Sequence, residues 1–419
     1  MNGITKNRQY YKFSAYGFLK NLRFFDAFLL LFLVDKGLSF TQIGILYAIR
    51  EIFINVFEVP SGFIADTYGR KNSLVASFIF YIASFMVFYF SGLFWLFIIA
   101  FSFYGIADAF RSGTHKGMIM DYLRIHGMED QKISYYGHTR AWSQTGSALS
   151  SLVAGLIVFT GGNYADIFLF SVIPYLFNLV LIISYPRELN FSRNGHTGEE
   201  THRLKDTVRS FLVVIRDPAV LRIINTSALH TAYIKALKDY IQPLMVHVAL
   251  LLPILVTAGT ERKNGIVIGV IYFIIYLLTS LASRNSSRLE SGTRRNIPYL
   301  TLLAGFAAGI LTGLSFHLEW WVTGLIAFAM VYVMENIRKP ILTAYVANNV
   351  PNEILTSVIS AQSLVKTILT AGIAFIFGIL ADNYDIGWAF LLVSAFLILS
   401  SILLNFLSGR KFKLKQGSG

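Results

Sequence analysis

Of the chain's 419 residues, 55% are hydrophobic, 15% aromatic and only 14% charged. That leaves too little polar surface to cover a soluble globule, so lipid is the expected solvent. The formal net charge of +13 is not gathered into an aromatic-interleaved patch, so nucleic acid is not an expected partner. With no cysteine and eight histidines lacking metal-type spacing, disulfides and thiolate metal sites are excluded, and neither metal nor cofactor is expected.

Apolar runs near or above the ~20 residues that cross a bilayer, separated by short polar turns, predict helices rather than a barrel. They fall at 13–34, 40–64, 73–91, 93–115, 135–159 and 165–185, and after a polar stretch at 219–250, 265–283, 297–316, 320–346, 357–381 and 388–407. The first run follows a basic arm (Lys6, Arg8, Lys12) but carries Asp26 and no small-residue cleavage site, so it reads as a retained helix rather than a leader. Lys235, Lys238 and Asp239 interrupt the seventh run, and Pro243 and Pro253 would kink or end it. The expected organisation is an all-α polytopic membrane protein of about twelve helices. It has a six-helix half at 1–185, a basic linker at 186–217, a second six-helix half at 218–407 and a basic tail at 408–419.

With the N-terminus inside, about 22 Lys and Arg fall on the cytoplasmic side and about three (Lys36, Arg262, Lys263) outside. Both termini and the linker are therefore expected in the cytoplasm, with the protein in the cell (inner) membrane. The linker ends in the amphipathic stretch DTVRSFLVVIRD, suited to lie on anionic headgroups. A weak internal repeat supports the two halves. Asp108-x-x-Arg111 with Asp121 ten residues on is matched by Glu335-x-x-Arg338 with Asn348 ten residues on, and Asn163-Tyr164 is matched by Asn383-Tyr384.

The most specific string is Gly62-Phe-Ile-Ala-Asp66-Thr-Tyr-Gly69-Arg70-Lys71, between the second and third runs. Its glycines suit tight packing and a sharp turn, Asp66 can accept hydrogen bonds or cap a helix, and Arg70 and Lys71 suit a headgroup surface. The string resembles the signature loop of the major facilitator superfamily, GxxxD(R/K)xGR(R/K), with Thr67 in place of the usual basic residue. The resemblance implies two pseudo-symmetric six-helix halves, transport by alternating access, and a gating role for Asp66 at the cytoplasmic ends of the halves. The corresponding loop after the eighth run, Arg284 to Arg295, keeps the basic charge without the acid. Read backwards, Glu58-Val-Pro60 completes ExPxxxxxDxxxRK, which resembles TetA(P)-type tetracycline efflux proteins and implies a drug-efflux substrate.

Ionisable groups inside the membrane cost about 2.5–3.5 kcal/mol each on insertion scales, so each must face a cavity or find a partner. Glu51 and Glu58 lie about 20° apart around the second helix, with Asn55 between them along it, whereas Arg50 points about 100° away. Glu51, roughly 18 Å deep, fits either a proton-coupling carboxylate or half of a fixed ion pair; Glu58, roughly 29 Å deep, fits a structural carboxylate beside the signature loop. Asp26 is central in the first helix with Arg23 three residues away, and Asp108–Arg111 and Glu335–Arg338 have the spacing of self-neutralised pairs or of a switchable acid–arginine partnership. Lys235 and Asp239 have i,i+4 spacing, which leaves Lys238 over, and Lys366 needs an interhelical partner or an anionic ligand. His230 reads as a packing residue or a proton relay. Trp95, Trp320, Trp321 and Trp388 fall at predicted outer helix ends, and Trp142 alone is inside a helix, a candidate for substrate stacking.

No nucleophile–base pair, metal-ligand spacing or phosphate loop appears, which argues against an enzyme, and no filter-like repeat argues for a channel. The expected function is proton-coupled efflux of a drug or other small molecule, with proton-coupled uptake of a metabolite as the alternative and a lipid-handling scaffold as a third class. The expected partners are a small-molecule substrate, protons and the bilayer, with the chain acting as a monomer.

Overall fold

The computed structural model describes residues 5–190, 218–253, 259–290, 297–349 and 352–409. Most of the linker, the loop 291–296 and the residues from 410 onwards lie outside these. The first helix, α1 (Arg8–Lys20), starts at Asn7, whose side chain accepts the Tyr10 N–H. The predicted continuous helix over 13–34 is broken. Asn21 closes α1, and its amide donates to the Gly17 carbonyl at 2.7 Å. A single 3-10 turn, Phe24–Ala27, then leads to the short α2 (Leu29–Asp35). Asp26 therefore lies in a break rather than at mid-helix, because the asparagine side chain competes for helical carbonyls.

Helix α3 (Phe40–Thr67) carries Pro60 inside it, and α4 (Arg70–Phe90) follows after two residues. The predicted helix 93–115 ends earlier, as α5 (Phe94–Arg111). Gly113, at φ +73°, turns the chain into a separate α6 (Thr114–Ile125), a conformation that favours glycine. Helices α7 (Lys132–Gly161) and α8 (Asp166–Ile183) complete this part. The seventh run is broken as its charges suggested, into α9 (Pro218–Leu237), a 3-10 turn Lys238–Ile241 and α10 (Gln242–Leu251). Pro243, near the start of α10, sits where a missing N–H costs nothing. Helix α11 (Thr260–Glu290) runs through what was expected to be a loop from Arg284; α12 (Ile297–His317), α13 (Trp321–Asn349), α14 (Asn352–Asn383) and α15 (Ile386–Gly409) follow.

Among the described residues, eight helices are long and apolar enough to cross a membrane. Helix α3, which carries Arg50, Glu51, Glu58 and Asp66, and α13, which carries Glu335, Arg338 and Lys339, are not among the eight. Large apolar side chains such as Phe90, Phe177, Val180, Leu399 and Phe406 are exposed, which lipid rather than water accommodates. Trp95, Trp320 and Trp388 are exposed at helix ends, as an interfacial belt requires.

The chain forms two compact units, and each recruits one segment from the other half of the sequence. The first comprises Met1–Leu38, Ile49–Gly198 and Met245–Leu277. In it α7 and α11 meet backbone to backbone. A Cβ built on Gly155 would stand 2.5 Å from the Gly265 carbonyl oxygen, and one on Gly269 would stand 2.8 Å from that of Ser151. The second comprises Ser39–Ala48, Glu199–Leu244 and Leu278–Gly419. Here the start of α3 docks on α14. The Phe40 and Thr41 N–H groups donate to the Asp382 carboxylate at 2.8 and 2.7 Å, and a Cβ on Gly44 would stand 2.4 Å from the Ala374 carbonyl oxygen. Small residues permit this approach, and van der Waals contact drives helix association where lipid replaces water.

Candidate functional site

The first unit holds a cavity of about 430 Å³ between α1, the beginning of α6 and α7, beside the end of α5. It forms where α1 stops at Asn21 and where α5 gives way to α6 at Gly113. Further along, α1 and α7 close on each other: a Cβ on Gly146 would stand 2.5 Å from the Phe18 carbonyl oxygen. The wall includes Lys20, Arg111, Lys116 and Arg140 but no carboxylate among its lining residues, together with Phe13, Tyr16, Tyr136, Ser143 and Gln144. The Lys116 ammonium lies 5.5 Å from the centre of the Tyr136 ring. The Tyr16 ring stacks on His115 at 3.6 Å, and His115 Nε2 lies 3.2 Å from the Tyr185 hydroxyl.

Behind this wall the sequence-predicted pair forms. Arg111 donates to Asp108 at 2.7 Å and to the Tyr81 hydroxyl at 2.9 Å, while the Tyr81 hydroxyl donates to the same carboxylate oxygen. Asp108 is thus shared by a guanidinium and a buried phenol, an arrangement that stabilises its charged form. Arg23 donates to Tyr104 at 3.1 Å and stands 3.9 Å from Asp26. A second, smaller space of about 10 Å³ adjoins Asn21, Arg23 and Asp26 and is faced by Ser147, Ser150 and Ser151. Its volume is about that of one water probe. Trp142, the stacking candidate, lies edge-on to Phe18 at 6.4 Å, is exposed, and does not line the cavity.

The acidic stripe of α3 is divided by its surroundings. Glu51 is fully buried with Arg50 at 3.3 Å, so the neighbour that points away by helical angle reaches back to pair. Asn55 is half-buried and Glu58 is exposed. In the signature loop, Gly69 adopts φ +100° and a Cβ there would collide with Asn190. The Arg70 N–H donates to the Asn190 carbonyl at 2.6 Å, the Lys71 N–H to its side chain at 3.1 Å, and Lys71 Nζ to the Tyr185 carbonyl at 3.0 Å. The Arg70 guanidinium pairs with Asp121 on α6, which also holds Arg124 at 3.1 Å. Arg70 and Lys71 therefore clamp α4 to the chain after α8 and to α6, rather than simply facing headgroups. Asp66 is exposed. Gly62 is exposed with open space around it, so the tight packing expected there does not occur.

In the second unit the repeated acid–arginine spacing has a different outcome. Arg338, fully buried, donates to the Pro298 carbonyl at 2.6 Å, the Thr301 hydroxyl at 2.7 Å and the Thr226 carbonyl at 2.5 Å, which ties α13 to α12 and α9. Glu335 instead meets His230 at 2.9 Å and the Thr231 hydroxyl at 2.9 Å, with Lys339 at 3.9 Å. The self-neutralised pair expected there is therefore replaced by a buried His–Glu contact. Asp239 accepts from Tyr47 at 2.9 Å, and Lys238, the cation left over by helical spacing, stands 3.3 Å from it. Lys366 is half-buried on α14, its carbonyl accepting from Thr370 at 2.8 Å. The side chain of Asn348 lies outside the described residues.

Lys20, Lys116 and Arg140 were not singled out from the sequence, although it carries a signal for them. None of the three has an acidic residue three or four positions away in either direction, so each lacks a partner on its own helix.

Comparison with known proteins places the whole fold. Residues 21–374 match the Major Facilitator Superfamily. An uncharacterized MFS-type transporter, YxaM, of Bacillus subtilis (strain 168) is 25% identical over 395 residues, covering 94% of this chain and 94% of that protein. Among solved structures, the nucleoside transporter NupG is similar with a TM-score of 0.74 at 13% identity, over 98% of this chain and 100% of its own. A D-xylose-proton symporter is similar with a TM-score of 0.68 at 13% identity, over 94% of this chain and 96% of its own. These structural likenesses carry the fold alone.

Proposed function

Because the chain belongs to the major facilitator superfamily, and is on that ground a membrane-spanning transporter, we propose that it is a secondary active transporter. In this reading it carries a small organic molecule by alternating access, with proton movement as the driving force. The observation that supports this best is the polar cavity of about 430 Å³ at the break of the first membrane helix. That volume falls in the roughly 300–1,000 Å³ range of small-molecule sites. An ionisable cluster stands behind its wall, the partly buried Asp108–Arg111 pair with the Tyr81 hydroxyl, and the second unit holds a cluster of its own, His230–Glu335 with Thr231. A carboxylate whose hydrogen-bond partners change with conformation exchanges its proton, and that exchange couples transport to a gradient.

Export of a drug-like molecule against inward proton flow is the direction suggested by Glu51 and by the string from Glu58 to Lys71. A second reading, proton-coupled uptake, is favoured by the likeness to a D-xylose-proton symporter and uses the same carboxylates. The test is transport by the purified full-length chain in vesicles, with a pH gradient imposed in each polarity and a compound panel on either side. Substrate-dependent proton movement is the expected result. Its polarity separates efflux from uptake, and substrate binding with no proton-linked flux in either polarity would overturn the coupling.

A further inference from the structure

We propose that the cavity of the first unit selects organic anions, a carboxylate or phosphate group being held by Lys20 and Arg140 while the neutral remainder lies against Tyr136 and Tyr16. This inference rests on the transporter reading and deepens it to a substrate class. Four cations line the cavity and no carboxylate does. Arg111 is neutralised by Asp108 at 2.7 Å. Among the described residues, Lys20, Lys116 and Arg140 have no carboxylate within ion-pair distance.

Lys20 carries the argument furthest. It is the last residue of α1, roughly 18 Å along the helix from Arg8 at 1.5 Å per residue, beyond the reach of a headgroup-level basic arm. The charges that act on it are mainly positive, Arg111, Arg23 and Arg140, with Asp108 the opposing one. A membrane helix does not retain an ammonium among other cations unless an anion or water-filled space faces it. The cavity is that space, and a bound anion would supply the missing counter-charge. Serine, threonine and glutamine side chains on α7, at Ser143, Thr139 and Gln144, add hydrogen bonds that orient a polar head without competing charge.

The same chemistry could come from a dissolved organic anion or an anionic lipid headgroup, and the proposal is for the dissolved solute. The full-length protein in phosphatidylcholine nanodiscs is titrated calorimetrically with 2-naphthoate, phenyl phosphate and citrate. The neutral isostere 2-naphthamide and the cation 2-naphthylmethylammonium serve as comparators. At least one anion is expected to bind, with 2-naphthoate at least tenfold tighter than the amide and the ammonium if it is the one. Raising salt from low to physiological levels weakens this binding. Lys20→Gln and Arg140→Gln should each weaken it at least tenfold, while Lys36→Gln, an equal charge change elsewhere, leaves it unaltered.

Absence of binding by all three anions below about 10 mM, an interaction weaker than about 3 kcal/mol, overturns the proposal. Equal affinity for the amide or the ammonium does the same, as does parent-like binding by the stable double variant of Lys20 and Arg140. Adding phosphatidylglycerol to the discs separates the sources. Loss of anion binding there assigns the cavity to lipid headgroups and overturns the solute reading. If Lys20→Gln does not fold, Arg140→Gln and the charge series on the parent protein still decide. Binding is read without flux, so failure here removes the anion class and leaves the transporter reading to the vesicle experiment.

Discussion

Two acid–arginine pairs with identical spacing, Asp108–Arg111 and Glu335–Arg338, should behave differently in double-mutant cycles, because only the first is a pair in space. The perturbations are Asp108→Asn with Arg111→Met, and Glu335→Gln with Arg338→Met. Arg111 is 2.7 Å from Asp108 and both share Tyr81. Removing either alone leaves a partly buried charge without its partner, at a cost of about 3–5 kcal/mol, and much of that is recovered in the double variant. A coupling of about 2–3 kcal/mol is expected.

Arg338 spends its donors on Pro298, Thr301 and Thr226. Arg338→Met should therefore cost about 3 kcal/mol or more, at roughly 1–1.5 kcal/mol for each lost bond, because α13 loses its ties to α12 and α9. Glu335→Gln keeps an acceptor for Thr231 and should cost about 1–2 kcal/mol through His230 and Lys339. Their coupling should stay below about 1 kcal/mol. The assay is unfolding of the purified protein in mixed detergent micelles by titration with a denaturing detergent, read by tryptophan fluorescence. A Glu335–Arg338 coupling equal to that of Asp108–Arg111 would refute the geometric reasoning.

Other substitutions test the remaining parts. Glu51→Gln removes the buried carboxylate that Arg50 meets at 3.3 Å, so thermal stability should fall and recover partly with Arg50→Gln. A stable single variant that lacks proton-driven flux would instead identify Glu51 as the coupling carboxylate. Asp66→Asn, at an exposed position, should leave thermal stability and substrate binding unchanged while slowing turnover; collapse of binding would remove Asp66 from gating. Asp121→Asn should lower thermal stability, since Arg70 and Arg124 both lose their partner, and an unaltered melting profile would show that the clamp is inert. Gly44→Leu places side-chain atoms where the Ala374 backbone stands, so folded yield should fall sharply, and parent-like yield would contradict the close α3–α14 packing.

Membrane residence, the all-helical class and the turn at the signature loop were legible in the chain itself because they depend on local properties: run length, hydropathy, and a glycine required where φ is positive, as at Gly69. The break in the seventh membrane run was legible too, since three charged residues and a proline mark it. The break near Asp26 was not: Asn21 closes α1 with a hydrogen bond to Gly17, and Arg23, beyond that end, bonds Tyr104, which lies far away in sequence. Helical angles placed Arg50 off the Glu51 face and Arg338 beside Glu335, but long side chains reach whichever partner the packing offers, and the nearest acceptors for Arg338 stand on other helices. The cation-lined cavity joins Lys20, Lys116 and Arg140 from three helices. None of the three has an acidic residue three or four positions away, a signal the sequence reading passed over; only the tertiary structure, by ending α1 and α5 beside α7, brought their charges to one space.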